Sequence, residues 1–196
     1  MGLEVELKAH VEDPSHIQKR IEALRGISTA VCEIKEDIYF CKKGEDALFR
    51  LRTEQRGPSF AQMQGSLLFT YKTKQMKEGI EVNDEVEFTA PSDQYEGALQ
   101  FFLSLGFVIY ITKTKKGYCY TYAPDKKLPP LTLELVEVVG LGWFVEMEFV
   151  LENTLLVEEA KLGLLALLAE LGIEKSAIES GYYMHLLKET KKRPEA

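Results

Sequence analysis

Charged residues recur at period two along this chain, and within most strand-like segments they share one sign. Glu4, Glu6 and Lys8 stand at i, i+2 and i+4, so they face one way while Leu3, Val5 and Leu7 face the other. The same spacing recurs at Arg50 and Arg52, Lys72 and Lys74, Glu85 and Glu87, Lys113 and Lys115, and Glu146 and Glu148. A sheet with one solvated face also carries charge at period two, but such faces normally mix signs and include Thr, Ser and Gln. Like charges 6–7 Å apart on one strand repel by roughly 2–3 kcal/mol at an effective dielectric near 20. Turned inward, the pattern has a use. Basic strands would cradle a polyanion, and acidic strands would hold hard divalent cations that bridge to it.

The segments between these pairs predict mostly strands in hairpin order. Strands are expected over residues 3–11, 34–40, 47–54, 67–74 and 82–89, with a turn near Glu78-Gly79. Residues 107–114 and 117–122 read as one hairpin, and 131–138 and 143–151 as another. Asp13-Pro14-Ser15 starts a helix with Ile17, Ile21 and Leu24 on one face. Further helices are expected from Ser92 to Leu105, Leu155 to Leu171 and Ser176 to Lys188. The expected fold class is α+β, with an eight-stranded antiparallel barrel flanked by helices. An open sheet with helices on one face is the competing architecture. A single domain spans residues 1–190, and the basic stretch from Lys191 begins a disordered tail over 191–196.

Several function classes lack their parts. The net charge of -7 argues against non-specific nucleic-acid binding. No apolar run approaches the ~20 residues that span a bilayer, and the acidic N-terminus is unlike a secretory signal, so a cytoplasmic protein is expected. Cys32, Cys41 and Cys119 form no Cys-x-x-Cys pair. There is no phosphate-binding Gly-x-x-x-x-Gly-Lys-Ser/Thr loop, no Gly-x-Gly-x-x-Gly and no Gly-x-Ser-x-Gly. His10 shares the face of Lys8 and reads as a residue of the rim or surface.

Glu4-x-Glu6-x-Lys8 resembles the N-terminal Glu-x-Glu-x-Lys of the CYTH superfamily, the triphosphate tunnel metalloenzymes. Asp37-Ile38-Tyr39-Phe40, Phe49-Arg50-Leu51-Arg52 and Leu68-Phe69-Thr70-Tyr71-Lys72 are similar to its successive strands. The stretch from Gly140-Leu141-Gly142 to Glu146-Met147-Glu148 resembles the class IV adenylyl cyclase branch, as does Tyr183-x-x-Leu186-Leu187. The resemblance implies a tunnel of eight strands and two Mg²⁺ or Mn²⁺ ions held by Glu4, Glu6, Glu146 and Glu148, with Glu134 a further candidate. It implies a triphosphate held by Lys8, Arg50, Arg52, Lys72, Lys74, Lys113 and Lys115, and oriented through Glu85 and Glu87. Lys8 and Glu6 would be catalytic. The reaction implied is ATP to cyclic AMP and pyrophosphate. Hydrolysis of tripolyphosphate, thiamine triphosphate or a nucleoside triphosphate is the alternative, and a non-catalytic polyphosphate sensor the third. Relatives are often homodimers.

Three positions depart from that pattern. Val136 stands where the cyclase branch has an aspartate that assists the metal, with Glu134 on the same strand face and Glu137 adjacent. Asn83 replaces a basic residue, and Lys115 replaces an arginine, which loses the bidentate fork.

Overall fold

A computed structural model describes residues 3–77, 80–123 and 127–192, with the side chains of 72–77, 81–85 and 191–192 outside that description. The chain runs β1 (Leu3–Val11), α1 (Pro14–Glu22), β2 (Val31–Cys41), β3 (Phe49–Ser59), β4 (Gln62–Lys77), β5 (Ile80–Pro91) and α2 (Tyr95–Ser104). It continues β6 (Val108–Tyr122), β7 (Leu131–Val138), β8 (Gly142–Leu151), α3 (Val157–Glu170) and α4 (Tyr183–Lys192). The strands form an antiparallel ring in the order β1-β5-β4-β3-β2-β6-β7-β8. The sheet curls until β1 pairs with both β8 and β5. The β1–β5 seam is short, from Leu3 opposite Asp84 to Glu6 opposite Glu81.

Period-two patterning decides which side of the wall is greasy. Val5, Leu7, Leu133, Leu135, Val145 and Met147 are almost wholly buried, and they point away from the tunnel. Ile17 and Ile21 of α1 and Leu164, Leu167 and Leu168 of α3 join them in one cluster, so the main core lies outside the barrel, between wall and helices. Asp13 caps α1 by accepting from the His16 backbone N–H at 3.0 Å, and Pro14 occupies the first turn. Phe102 and Leu99 of α2 pack over Phe40 and Leu51 in a second cluster. Among the described residues, no helix is long and apolar enough to cross a membrane.

Two expectations change. Residues 107–122 are not a hairpin but the one long strand β6. The expected hairpin turned just before Gly117, yet the role of this glycine is close approach: a Cβ there would lie 2.1 Å from the Leu135 carbonyl oxygen of β7 and 2.7 Å from the Val136 Cα. The last helix starts at Tyr183 rather than Ser176. Ile178 instead bridges to Ala9 of β1, and the Glu179 N–H donates to the Lys8 carbonyl at 2.9 Å, so this segment is drawn straight along the barrel rim. Of the tail expected over 191–196, Lys191 and Lys192 continue α4, and 193–196 lie outside the described residues.

Candidate active site

The inner faces of the strands enclose a polar cavity of about 700 Å³. Its acidic wall comes from β1 and β8. Glu6 lies directly opposite Glu148, and Lys8 opposite Glu146. Glu4, Glu6 and Glu148 are half-buried and line the cavity. Like charges directly opposed across an antiparallel pair destabilise it unless a cation intervenes. All-oxygen carboxylate donors on one wall suit Mg²⁺ or Mn²⁺, so the donor set fits the divalent ions that the sequence implied.

The basic wall is built on Asp37, a carboxylate to which its sequence spacing assigned no role in the site. Asp37 of β2 is fully buried and lies opposite Arg52 on β3 and Lys113 on β6. Arg52 grips it with Nε at 2.6 Å and Nη2 at 3.2 Å, while Lys113 Nζ stands 2.9 Å away and Arg50 Nε 3.9 Å. Burial alone would raise the Asp37 pKa, but Arg52, Lys113 and Arg50 hold it well below the usual carboxylate range. Arg50 also donates to the Thr70 hydroxyl at 3.1 Å, which donates in turn to Glu87 at 2.8 Å. The backbone register sets Lys72 opposite Glu85 and Lys74 opposite Asn83; the side chains of Lys72, Lys74 and Glu85 lie outside the described residues.

The two walls meet through a buried chain of ion pairs. Glu134 of β7 accepts from Lys35 at 2.5 Å and from Lys115 at 3.0 Å. Lys115 also donates to Glu146 at 2.7 Å, and the other Glu146 oxygen accepts from the Tyr183 hydroxyl at 3.0 Å. Burial raises the Glu134 pKa and Lys115 and Lys35 lower it; the lysines win, and Glu134 is held well below its usual range. Burial works against the Lys115 ammonium, yet Glu134 and Glu146 raise its pKa above the ordinary lysine value. Tyr183, the first residue of α4, carries Lys8 and Lys113 over its ring at 5.5 and 5.2 Å, so the helix that closes this end also touches both walls.

Val136 is buried in the wall, opposite Gly117 and Phe144. The carboxylate on this strand face sits two residues away, at Glu134, and Glu137 is exposed on the outside. His10 is half-exposed at the rim, 3.1 Å from Glu179.

Glu33, Lys35 and Asp37 on β2, and Glu54 and Arg56 on β3, were missed as site residues. The signal was present, since they also recur at period two, but their signs alternate along the strand. A further cluster, Glu33, Cys119 and Glu134, brings one ligand atom each within 4.8 Å of the others. It is already filled by positive charge. Lys35 lies 2.7 Å and Arg56 3.1 Å from the two Glu33 oxygens, close enough to pair although neither contact has hydrogen-bond geometry. Arg56 also donates to Cys119 Sγ at 3.0 Å. Burial, with Glu134 and Glu33, pushes the Cys119 thiol up to about 12, so without a bound metal it stays protonated at neutral pH and is no nucleophile.

The CYTH domain model matches residues 2–183. The chain belongs to the CYTH family. Members of this family act on triphosphates in metal-dependent reactions, as triphosphatases or cyclases. Among solved structures, the CYTH chain is similar to the PH1819 protein of Pyrococcus horikoshii OT3, with 28% identity, TM-score 0.72, and 95% of this chain and 98% of that one covered. It shares its fold with a candidate adenylate cyclase from Vibrio parahaemolyticus (14% identity, TM-score 0.71, 95% and 98% covered). It also shares it with HpAC1 of Hippeastrum, named as an adenylyl cyclase and described as having a dominant triphosphatase activity (18% identity, TM-score 0.63, 99% and 98% covered). No curated protein matches the chain.

Proposed function

We propose that this tunnel binds ATP with divalent metal and converts it to cyclic AMP and pyrophosphate. The observation that carries the triphosphate reading is the opposition of two walls: Glu6 facing Glu148 on one side, and Arg50, Arg52 and Lys113 gathered on Asp37 on the other. Arg50, Arg52, Lys113 and Lys115 supply the positive charge for a chain of phosphates, with Lys72 and Lys74 next along β4. Glu4, Glu6, Glu146 and Glu148 are the residues that would hold Mg²⁺ or Mn²⁺. When bound, the ions polarise the attacking oxygen and neutralise charge on the leaving phosphate. Lys8, 3% exposed and packed on the Tyr183 ring, would donate to a phosphate oxygen as negative charge builds. In the cyclase reaction the ATP 3′-oxygen bonds to the α-phosphorus, the 3′-hydroxyl proton leaves, and pyrophosphate departs. The cyclase choice rests on the match of residues 140–148 to that branch.

A second reading, hydrolysis of the terminal phosphate by water, is favoured by Val136, where the cyclase branch carries a metal-assisting aspartate. The test offers ATP, inorganic tripolyphosphate and thiamine triphosphate with Mg²⁺ or Mn²⁺, and quantifies cyclic AMP, pyrophosphate and orthophosphate. Cyclic AMP with equimolar pyrophosphate supports the cyclase. Orthophosphate without cyclic AMP replaces it with the hydrolase. Tight binding without turnover leaves a sensor.

A further inference from the structure

Resting on the triphosphate reading, we propose that Lys115 and a divalent cation compete for Glu146, and that a bound triphosphate relieves the competition by taking the Lys115 ammonium. Both Glu146 oxygens are committed within the protein. Oε2 accepts from Lys115 Nζ at 2.7 Å, and Oε1 accepts from the Tyr183 hydroxyl at 3.0 Å. The ammonium sits between two carboxylates, since Glu134 Oε2 is 3.0 Å from the same nitrogen. That is a place a cation would choose, and Lys115 is already there. A metal ion that bonded Glu146 with Lys115 unmoved would bring two positive charges together in a buried wall, where Lys115 and Glu146 are 4% and 8% exposed.

The surroundings allow the ammonium to leave at little cost. Glu134 keeps Lys35 on its other oxygen at 2.5 Å, so it is not left as an uncompensated buried charge. Tyr183 keeps Glu146 aimed into the tunnel. Lys113, two residues along the same face, marks where a phosphate would pull. A phosphate oxygen is a strong acceptor for an ammonium, so entry of the polyanion and occupation of Glu146 by metal favour one another. By linkage the coupling is reciprocal: metal at Glu146 also tightens triphosphate binding.

The experiment titrates Mn²⁺ into the metal-stripped full chain without triphosphate, by calorimetry and by loss of the free Mn²⁺ spin-resonance signal. Removing the internal competitor in Lys115→Met raises Mn²⁺ affinity, on the order of tenfold, while Lys115→Arg, which keeps the positive charge, stays near the wild type. Lys115→Gln makes the same test if the methionine variant fails to fold. Unchanged or weakened Mn²⁺ binding in the uncharged variants overturns the proposal. In the wild type, crystals grown with Mn²⁺ and tripolyphosphate should place Lys115 Nζ on a phosphate oxygen, out of hydrogen-bond reach of Glu146; finding it still on Glu146 also overturns it. Failure of tripolyphosphate to bind at all would instead remove the triphosphate reading, while the triphosphate-free titration would still decide the competition.

Discussion

Asp37 and Arg52 form a two-bonded carboxylate–guanidinium pair inside the tunnel wall, at 2.6 and 3.2 Å, and two further cations lean on the same carboxylate. Asp37 therefore does for the basic wall what a phosphate would do from the cavity side: it lets Arg50, Arg52 and Lys113 converge. Removing its charge in Asp37→Asn should destabilise the fold by about 3–5 kcal/mol, as breaking a buried ion pair from one side does. Tripolyphosphate, by restoring negative charge, should recover more stability in the variant than it adds to the wild type. Urea denaturation with and without tripolyphosphate measures both effects. Equal ligand-induced gains would detach Asp37 from the cradle.

Glu33 and Glu134 should pull stability in opposite directions with pH. Glu134 and Asp37 have folded pKa values below their unfolded ones, so their contribution is complete above the ordinary carboxylate value of about 4 and is lost as pH falls below it. Glu33 is raised, first by burial and then by Glu134, so its contribution is present at low pH and lost as pH rises through the raised value. At pH 7, Glu134→Gln should cost about 3 kcal/mol by removing the buried carboxylate that Lys115 and Lys35 share, leaving each with one close carboxylate, whereas Glu33→Gln should be neutral or stabilising. Denaturation curves at pH 4 and pH 7 for both variants check this. A Glu33→Gln variant that is much weaker at pH 7 would show that Lys35 and Arg56 outweigh burial.

Glu6→Gln and Glu148→Gln remove charge from the facing pair of the acidic wall without changing its shape. Each should lower metal-dependent turnover by about 10²-fold or more. The far-ultraviolet circular dichroism should be unchanged, and thermal stability unchanged or slightly higher, because the two carboxylates repel. If both variants turn over at the wild-type rate with Mg²⁺ and with Mn²⁺, the metal assignment fails.

Gly117→Ala tests the close approach of β6 to β7. The added methyl would meet backbone atoms at 2.1 and 2.7 Å, which no side-chain rotation relieves. A loss of about 3 kcal/mol or more is expected, with the side-chain contact between Lys115 and Glu134 broken. Hydrogen exchange at Tyr118 and Leu135, paired across these strands, would report the parting.

The barrel was legible because its interior is charged and its exterior apolar, which makes each strand's two faces unmistakable in the chain. Glu6, Glu148, Arg52 and Lys113 stood out through the period-two charge pattern that six strands share, and their expected roles came from the family resemblance. The strand of Glu33, Lys35 and Asp37 was passed over for a physical reason. It lies between β3 and β6, both bearing basic residues, and is reached by Glu134 of β7 over the intervening β6, so alternating signs there match alternating partners rather than solvent. Partner identity is a tertiary fact that one strand's spacing does not carry. The same holds for Ile178, whose bridge to Ala9 overrides a helix-like pattern, and for Gly117, whose turn propensity yields to an approaching backbone.

The ring of strands has a temporal consequence. β1 is made before its partners β5 and β8, and the residue that faces Glu6 is Glu148, more than a hundred residues later. Such non-local pairing is slow to nucleate, because loop closure must precede the contacts that reward it. A nascent chain released before residue 148 can hold the basic cradle with α1 and α2 but cannot assemble the facing carboxylates. The facing carboxylates therefore assemble late, and on the proposed metal assignment any activity regained after dilution from denaturant should lag behind the recovery of secondary structure.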